Sequence, residues 1–122
     1  MKLLMRCGSL LLMVAALSHA ACLSGKWKFF IELDPVGYGD PIFTFVQKGT
    51  TVTGKYLGAL GENEVTGSVN GDYAEFSFTY NRGGKVVKAI YSGVLESSNR
   101  MSGKLRFDGF FGRGTWTATR EQ

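Results

Sequence analysis

Five times the chain repeats one short phrase: apolar residue, hydroxyl, glycine, variable residue, apolar residue. It opens as Leu23-Ser24-Gly25-Lys26-Trp27 and returns as Val52-Thr53-Gly54-Lys55-Tyr56, Val65-Thr66-Gly67-Ser68-Val69, Tyr91-Ser92-Gly93-Val94-Leu95 and Met101-Ser102-Gly103-Lys104-Leu105. In a strand, successive side chains alternate between faces, so each phrase puts its two apolar residues and its glycine on one face. A glycine on the face meant for burial marks a bend or a close approach of backbones, as in the wall of a small barrel. The repeat therefore predicts strands that curve.

The segments between the phrases fit the same period. Trp27, Phe29, Ile31 and Leu33 share a face, as do Phe43 with Phe45, then Ala74, Phe76, Phe78 and Tyr80, and then Val87, Ala89 and Tyr91. Asp34–Pro41 reads as a loop with both prolines, Gly58–Glu64 as a longer loop, Asn70-Gly71 as a two-residue hairpin turn and Asp108–Gly114 as a glycine-rich loop. Eight strands with short connections and no helical period predict an all-β, eight-stranded antiparallel up-and-down β-barrel, whose closure removes exposed edges. A two-sheet sandwich is the alternative. Eleven of the sixteen aromatic residues fall on inward positions, enough to plug a narrow interior.

The first twenty residues stand apart from this pattern. Lys2 and Arg6 precede an apolar run from Leu10 to Leu17, and Ser18-His19-Ala20 places small residues where a secretory signal is cleaved. The expected organisation is a signal peptide over 1–20 and a single barrel domain over 21–122, exported to a periplasm or secreted. Ala20-Ala21-Cys22 also allows a lipid-anchored form through Cys22. With the signal removed, 12 basic residues face 10 acidic ones, a net charge of +2 with no basic stripe, which excludes a nucleic-acid interface. Cys7 and His19, the only histidine, leave as well, so Cys22 has no internal disulfide partner in the mature chain.

Four stretches, in order, resemble the avidin group of the calycin class. Leu23-Ser24-Gly25-Lys26-Trp27 is similar to the opening Leu-Thr-Gly-x-Trp, and Thr53-Gly54-Lys55-Tyr56 to the third-strand Thr-Gly-x-Tyr. Phe76-Ser77-Phe78-Thr79-Tyr80-Asn81 is similar to the fifth-strand Phe-x-Phe-Thr-x-Asn, and Trp116-Thr117-Ala118-Thr119-Arg120 to the closing Trp-x-Ala-Thr-Arg. The resemblance implies that Trp27 and Arg120 close one end of the barrel, a contact that a cation over an indole also favours by about 1–2 kcal/mol when partly desolvated. It implies a ligand site near Tyr56, Asn81 and Trp116. The rest of the avidin ligand set is absent: Phe29, Gly58 and Arg82 stand where that group has an Asn, a hydroxyl and a Trp, Gly83-Gly84 replaces its hydroxyl cluster, and the seventh strand has no Trp. A site built on hydrogen bonds rejects its ligand once those partners are gone, so tight biotin binding is not expected.

Catalysis has little to stand on. Without a histidine there is no Ser-His or Cys-His pair and no usual zinc set, Glu62 and Glu64 read as solvated loop charges, and Gly109–Gly114 lacks the Lys-Ser/Thr ending of a phosphate loop. No enzyme activity, metal or cofactor is expected. Tyr38, Arg82, Phe110, Phe111 and Arg113 sit in loops at one end, and loop aromatics serve ligand contacts. The expected function is binding of a small apolar or aromatic ligand, or of a protein partner, through Tyr56, Asn81, Arg82, Phe110, Phe111 and Trp116. The alternative is a plugged barrel that assembles, as a homo-oligomer, through Phe30, Ile42, Val46, Ile90 and Val94 on its outer wall.

Overall fold

The computed structural model describes residues 22–34, 37–109 and 112–121. Among them the chain is all strand and turn: β1 (Gly25–Asp34), β2 (Gly37–Gly39), β3 (Ile42–Lys48), β4 (Thr51–Gly58), β5 (Gly61–Asn70), β6 (Tyr73–Arg82), β7 (Lys85–Ser97), β8 (Arg100–Asp108) and β9 (Arg113–Arg120). From β3 to β9 each strand pairs antiparallel with the next, and β9 returns to β1 from Trp27↔Arg120 to Asp34↔Arg113. This is a closed up-and-down barrel, and closure excludes the two-sheet sandwich. The signal segment, the proposed cleavage site, Phe110 and Phe111 lie outside the described residues. So does Cys7, on which the expectation of an unpartnered Cys22 turns; the described chain has no free cysteine.

Eight strands were expected and nine occur, because one wall strand is interrupted. β1 pairs with β3 over Gly25–Lys28 and with β2 over Ile31–Leu33. Between them Pro41 has no N–H to give the ladder, and the Phe29 N–H donates to the Pro41 carbonyl at 3.0 Å across the break. The loop read at Asp34–Pro41 thus contains a short strand. The longer loop read at Gly58–Glu64 is a tight turn at Ala59-Leu60, with Gly61 in a left-handed conformation (φ +97°). Glu62 and Glu64 therefore lie on β5, facing outward, each 3.9 Å from Lys55. Exposed pairs of this kind add little stability.

The repeated glycines explain the curvature. Gly93 and Gly103 are directly opposed across β7 and β8. A Cβ on Gly103 would lie 1.9 Å from the Ser92 carbonyl oxygen, and one on Gly54 2.0 Å from that of Thr44. No side chain fits where a neighbouring strand folds so closely over the wall. Gly25 differs from the expectation. It is exposed and left-handed (φ +127°), and its missing side chain leaves room for the Arg120 guanidinium, which would sit 3.0 Å from a Cβ.

The interior is filled from one end. Leu23, Trp27, Phe43, Val52, Ala74, Val87, Ala89 and Met101 are fully buried, and among the described residues no polar or charged one is buried with the core. At the middle, Phe29 stacks on Trp116 at 4.8 Å and tilts against Phe43 at 4.3 Å, while Phe76 stacks on Tyr91 at 5.3 Å. At the closed end Arg120 lies over the Trp27 ring, 4.4 Å from its centroid. Its guanidinium donates to the carbonyls of Cys22, Ser24 and Ser98. Gln47 accepts the Leu23 N–H, and its own N–H donates to the Ser24 hydroxyl, each at 2.9 Å. The start of the described chain is thereby tied to β3, to β9 and to the β7–β8 turn.

The outer-wall residues proposed for assembly do not form one patch. Phe30, Ile42 and Val46 lie on β1 and β3, whereas Ile90 and Val94 lie on β7, with three strands between the groups one way around the barrel and two the other. Ile42 and Ile90 are also half-buried.

Candidate functional site

Aromatic filling stops short of the other end. There the barrel opens into a cup of about 450 Å³, within the usual range for small-molecule sites. Its deep wall is Ile31, Tyr56, Tyr91 and Leu105, all buried, with Tyr80, Leu33, Leu60 and Phe107 above them. Asp34, Tyr38, Asp40, Arg82 and Gly112 form the rim. The β1 half-strand, the β2–β3 break and the β4–β5 turn supply one side, so the interruption at Pro41 is what shapes the mouth.

Strand alternation delivers the three tyrosines. Tyr56 follows Gly54 on the inner face of β4, Tyr80 follows Phe78 on β6, and Tyr91 follows Ala89 on β7. The Tyr56 hydroxyl accepts the Leu60 N–H at 3.2 Å, and Asn63 Nδ2 donates to the Leu60 carbonyl at 3.1 Å, which fixes the turn at the mouth. Gly58 is part of the same arrangement. A Cβ there would meet the Tyr56 hydroxyl at 2.7 Å and Pro41 Cβ at 2.8 Å. Where the avidin group has a hydroxyl side chain, this chain has space that its own tyrosine occupies.

Burial raises the pKa of all three phenols above the ordinary value of 10.0, furthest for Tyr91, where Tyr56 and Tyr80 add to the effect. For Tyr56 the Leu60 N–H partly offsets burial, and for Tyr80 the nearby Arg82 does. All three are therefore neutral hydroxyl donors at pH 7. Because the folded pKa of Tyr91 lies above its unfolded value, its contribution is fully present below pH 10 and is lost as pH rises through the raised value. Urea melts above pH 10 are expected to show a falling stability that Tyr91→Phe makes shallower. Equal alkaline losses in both proteins would contradict the burial of that hydroxyl.

Of the residues singled out in the sequence, Tyr56 and Arg82 line the cup. Asn81 does not: it follows the inward Tyr80, so alternation turns it outward and it is exposed. Trp116 does not either. It is packed beneath the cup against Phe29, Phe76 and Tyr91, with its Nε1–H donating to the Lys104 carbonyl at 2.9 Å. Phe29, at the position of an avidin Asn, is likewise core. Sequence reasoning counted Tyr80 and Tyr91 as filling and missed them as site residues. The available signal was that tyrosine, rather than phenylalanine, recurs on inward positions.

A groove on the outer wall between β3 and β4 is lined by Ile42, Val46 and Leu57 and flanked by Lys55, Glu62 and Glu64. All of these residues belong to strands of the wall.

No known protein family matches the chain, and no curated protein does. Solved structures do match. One redesigned β-barrel superposes with a TM-score of 0.69 at 16% identity, over 82% of this chain and 92% of its own. The redesigned barrel mFAP1, bound to DFHBI, matches with a TM-score of 0.61 at 17% identity, over 80% of this chain and 94% of its own. The barrel EF1p2_mFAP2b, also bound to DFHBI, matches with a TM-score of 0.60 at 18% identity, over 81% and 94%. At these identities the likeness is one of fold: the chain is a closed, eight-stranded type of antiparallel β-barrel with one wall strand interrupted.

Proposed function

We propose that this chain is an exported, non-catalytic barrel that binds a small apolar or aromatic molecule in the cup at its open end. The observation that carries the reading is the cup itself: an interior otherwise packed with rings leaves about 450 Å³ empty, walled by apolar and tyrosine side chains. A barrel with no interior ligand gains stability by filling such a space. The bound dye DFHBI in two similar barrels supports an aromatic ligand for this architecture. Export rests on the charged, apolar and small-residue order of residues 1–20. The Trp27–Arg120 contact supports the avidin-like resemblance, while Phe29, Gly58 and the exposed Arg82 at the rim argue against an avidin ligand.

The test is calorimetry and fluorescence on the domain from Ala21. Biotin is expected to bind no more tightly than about micromolar, or about −8 kcal/mol. The neutral fluorophore N-phenyl-1-naphthylamine is expected to bind saturably at one site, and Leu105→Trp, which fills the cup, to abolish the signal. A nanomolar biotin affinity, or probe binding untouched by Leu105→Trp, overturns the reading. Phe110→Ala and Phe111→Ala weaken probe binding if those rings grip the ligand and strengthen it if they plug the mouth.

A further inference from the structure

The cup is lined by hydroxyl groups that the protein itself uses only in part. Tyr56, Tyr80 and Tyr91 come from three strands and gather around one ring. Phe78 lies 4.2 Å from the Tyr56 ring and 6.2 Å from each of Tyr80 and Tyr91. Tyr56 accepts the Leu60 N–H, which leaves its own proton to donate. Tyr80 and Tyr91 make no hydrogen bond with a described residue, and because no buried side-chain oxygen among the described residues lacks a partner, their hydroxyls are accessible from the cup they line. A ligand that fills the cup strips water from these hydroxyls and leaves them without a partner, at a cost, unless it offers them an acceptor. Phenylalanine would fill the same volume at each position without that penalty, so three inward phenols facing one cavity imply a partner inside it.

We infer that the ligand of this cup is a ring-containing apolar molecule whose buried end carries a neutral oxygen acceptor, a carbonyl above all, to which Tyr56, Tyr80 and Tyr91 donate. The inference rests on the ligand-binding reading above and gives its chemistry. Neutrality follows from the surroundings. The deep wall is apolar, and at the rim Asp34 and Asp40 outnumber Arg82, so an anion brought to the depth of Tyr91 loses hydration without meeting compensating charge. The burial that keeps the tyrosines protonated penalises a carboxylate ligand for the same reason.

Three probes of one shape test this by calorimetry at pH 7: 2-acetylnaphthalene, 2-ethylnaphthalene and 2-naphthoate. The ketone is expected to bind about five- to tenfold more tightly than the hydrocarbon, the factor that one net buried hydrogen bond supplies. The carboxylate is expected to bind more weakly than the ketone. Tyr91→Phe, and the double variant Tyr80→Phe with Tyr91→Phe, are expected to erase the ketone's advantage while leaving the hydrocarbon's affinity equal or improved. Both keep their rings, and a melt confirms that each is folded. Equal affinities for ketone and hydrocarbon, or an advantage that survives the double variant, overturn the inference while the ligand-binding reading stands; so does tightest binding by the carboxylate. If none of the three binds, the ligand-binding reading falls and takes this inference with it.

Discussion

Trp27→Ala is expected to lower the stability of the domain by about 3–5 kcal/mol, the usual cost of truncating a large buried aromatic side chain. Trp27 is completely buried, its Nε1–H donates to the Leu23 carbonyl at 2.9 Å, and its other face carries the Arg120 guanidinium. Truncation therefore leaves a cavity, an orphaned carbonyl and a cation without its ring at the one seam where first and last strands meet. Typical domains have about 5–15 kcal/mol in hand, so the variant is expected to unfold at far lower urea or not to fold at all. Arg120→Ala separates the contributions. It removes the contact over the ring and the donors to Cys22, Ser24 and Ser98, but it opens no void in the core and costs less. Identical urea midpoints for parent and both variants would mean that the seam is not closed through this pair.

Gly103→Ala is expected to be as damaging as many core truncations, although it adds one methyl group to a strand. The new Cβ would lie 1.9 Å from the Ser92 carbonyl oxygen and 2.6 Å from the Gly93 Cα. Both are backbone atoms, so no rotamer change relieves the clash, and strands β7 and β8 must separate where Gly93 and Gly103 face each other. Overpacking commonly costs about 1–3 kcal/mol, and a collision with backbone belongs at the upper end, about 3 kcal/mol. Lys104→Ala, one residue on and facing outward, is the control and is expected to stay within about 0.5 kcal/mol of the parent. Matched melting of Gly103→Ala and Lys104→Ala would show that the close approach of the two strands is not required.

The two elements that sequence reasoning misplaced have local causes hidden by non-local ones. Gly37–Gly39 reads as a loop because Pro41 and the glycines are loop residues; it becomes a strand because β1 offers it an unpaired edge beyond Lys28. Glu62 and Glu64 read as loop charges because the segment is polar; they become strand residues because β4 continues to Gly58 and Gly61 reverses the chain at once. Asn81 and Trp116 entered the candidate site through family motifs, yet face is decided by alternation for Asn81 and depth by the ring stack for Trp116.

The alternation of apolar residues, the turn chemistry and the recurring glycines determined by themselves that this chain is an all-β barrel with curved walls, because strand period, turn type and backbone clearance are properties of a few adjacent residues. Pairing of Trp27 with Arg120 was legible through the resemblance of the first and last strands to the avidin group, and barrel closure brings those two strands together. The cup was not legible. Whether eleven inward rings fill a barrel or leave 450 Å³ at one end depends on how rings from seven strands stack at particular depths, and on the break at Pro41 that sets the mouth. Only the tertiary structure decided that Tyr56, Tyr80 and Tyr91, from three different strands, line one space, because their meeting depends on strand register summed around the whole barrel.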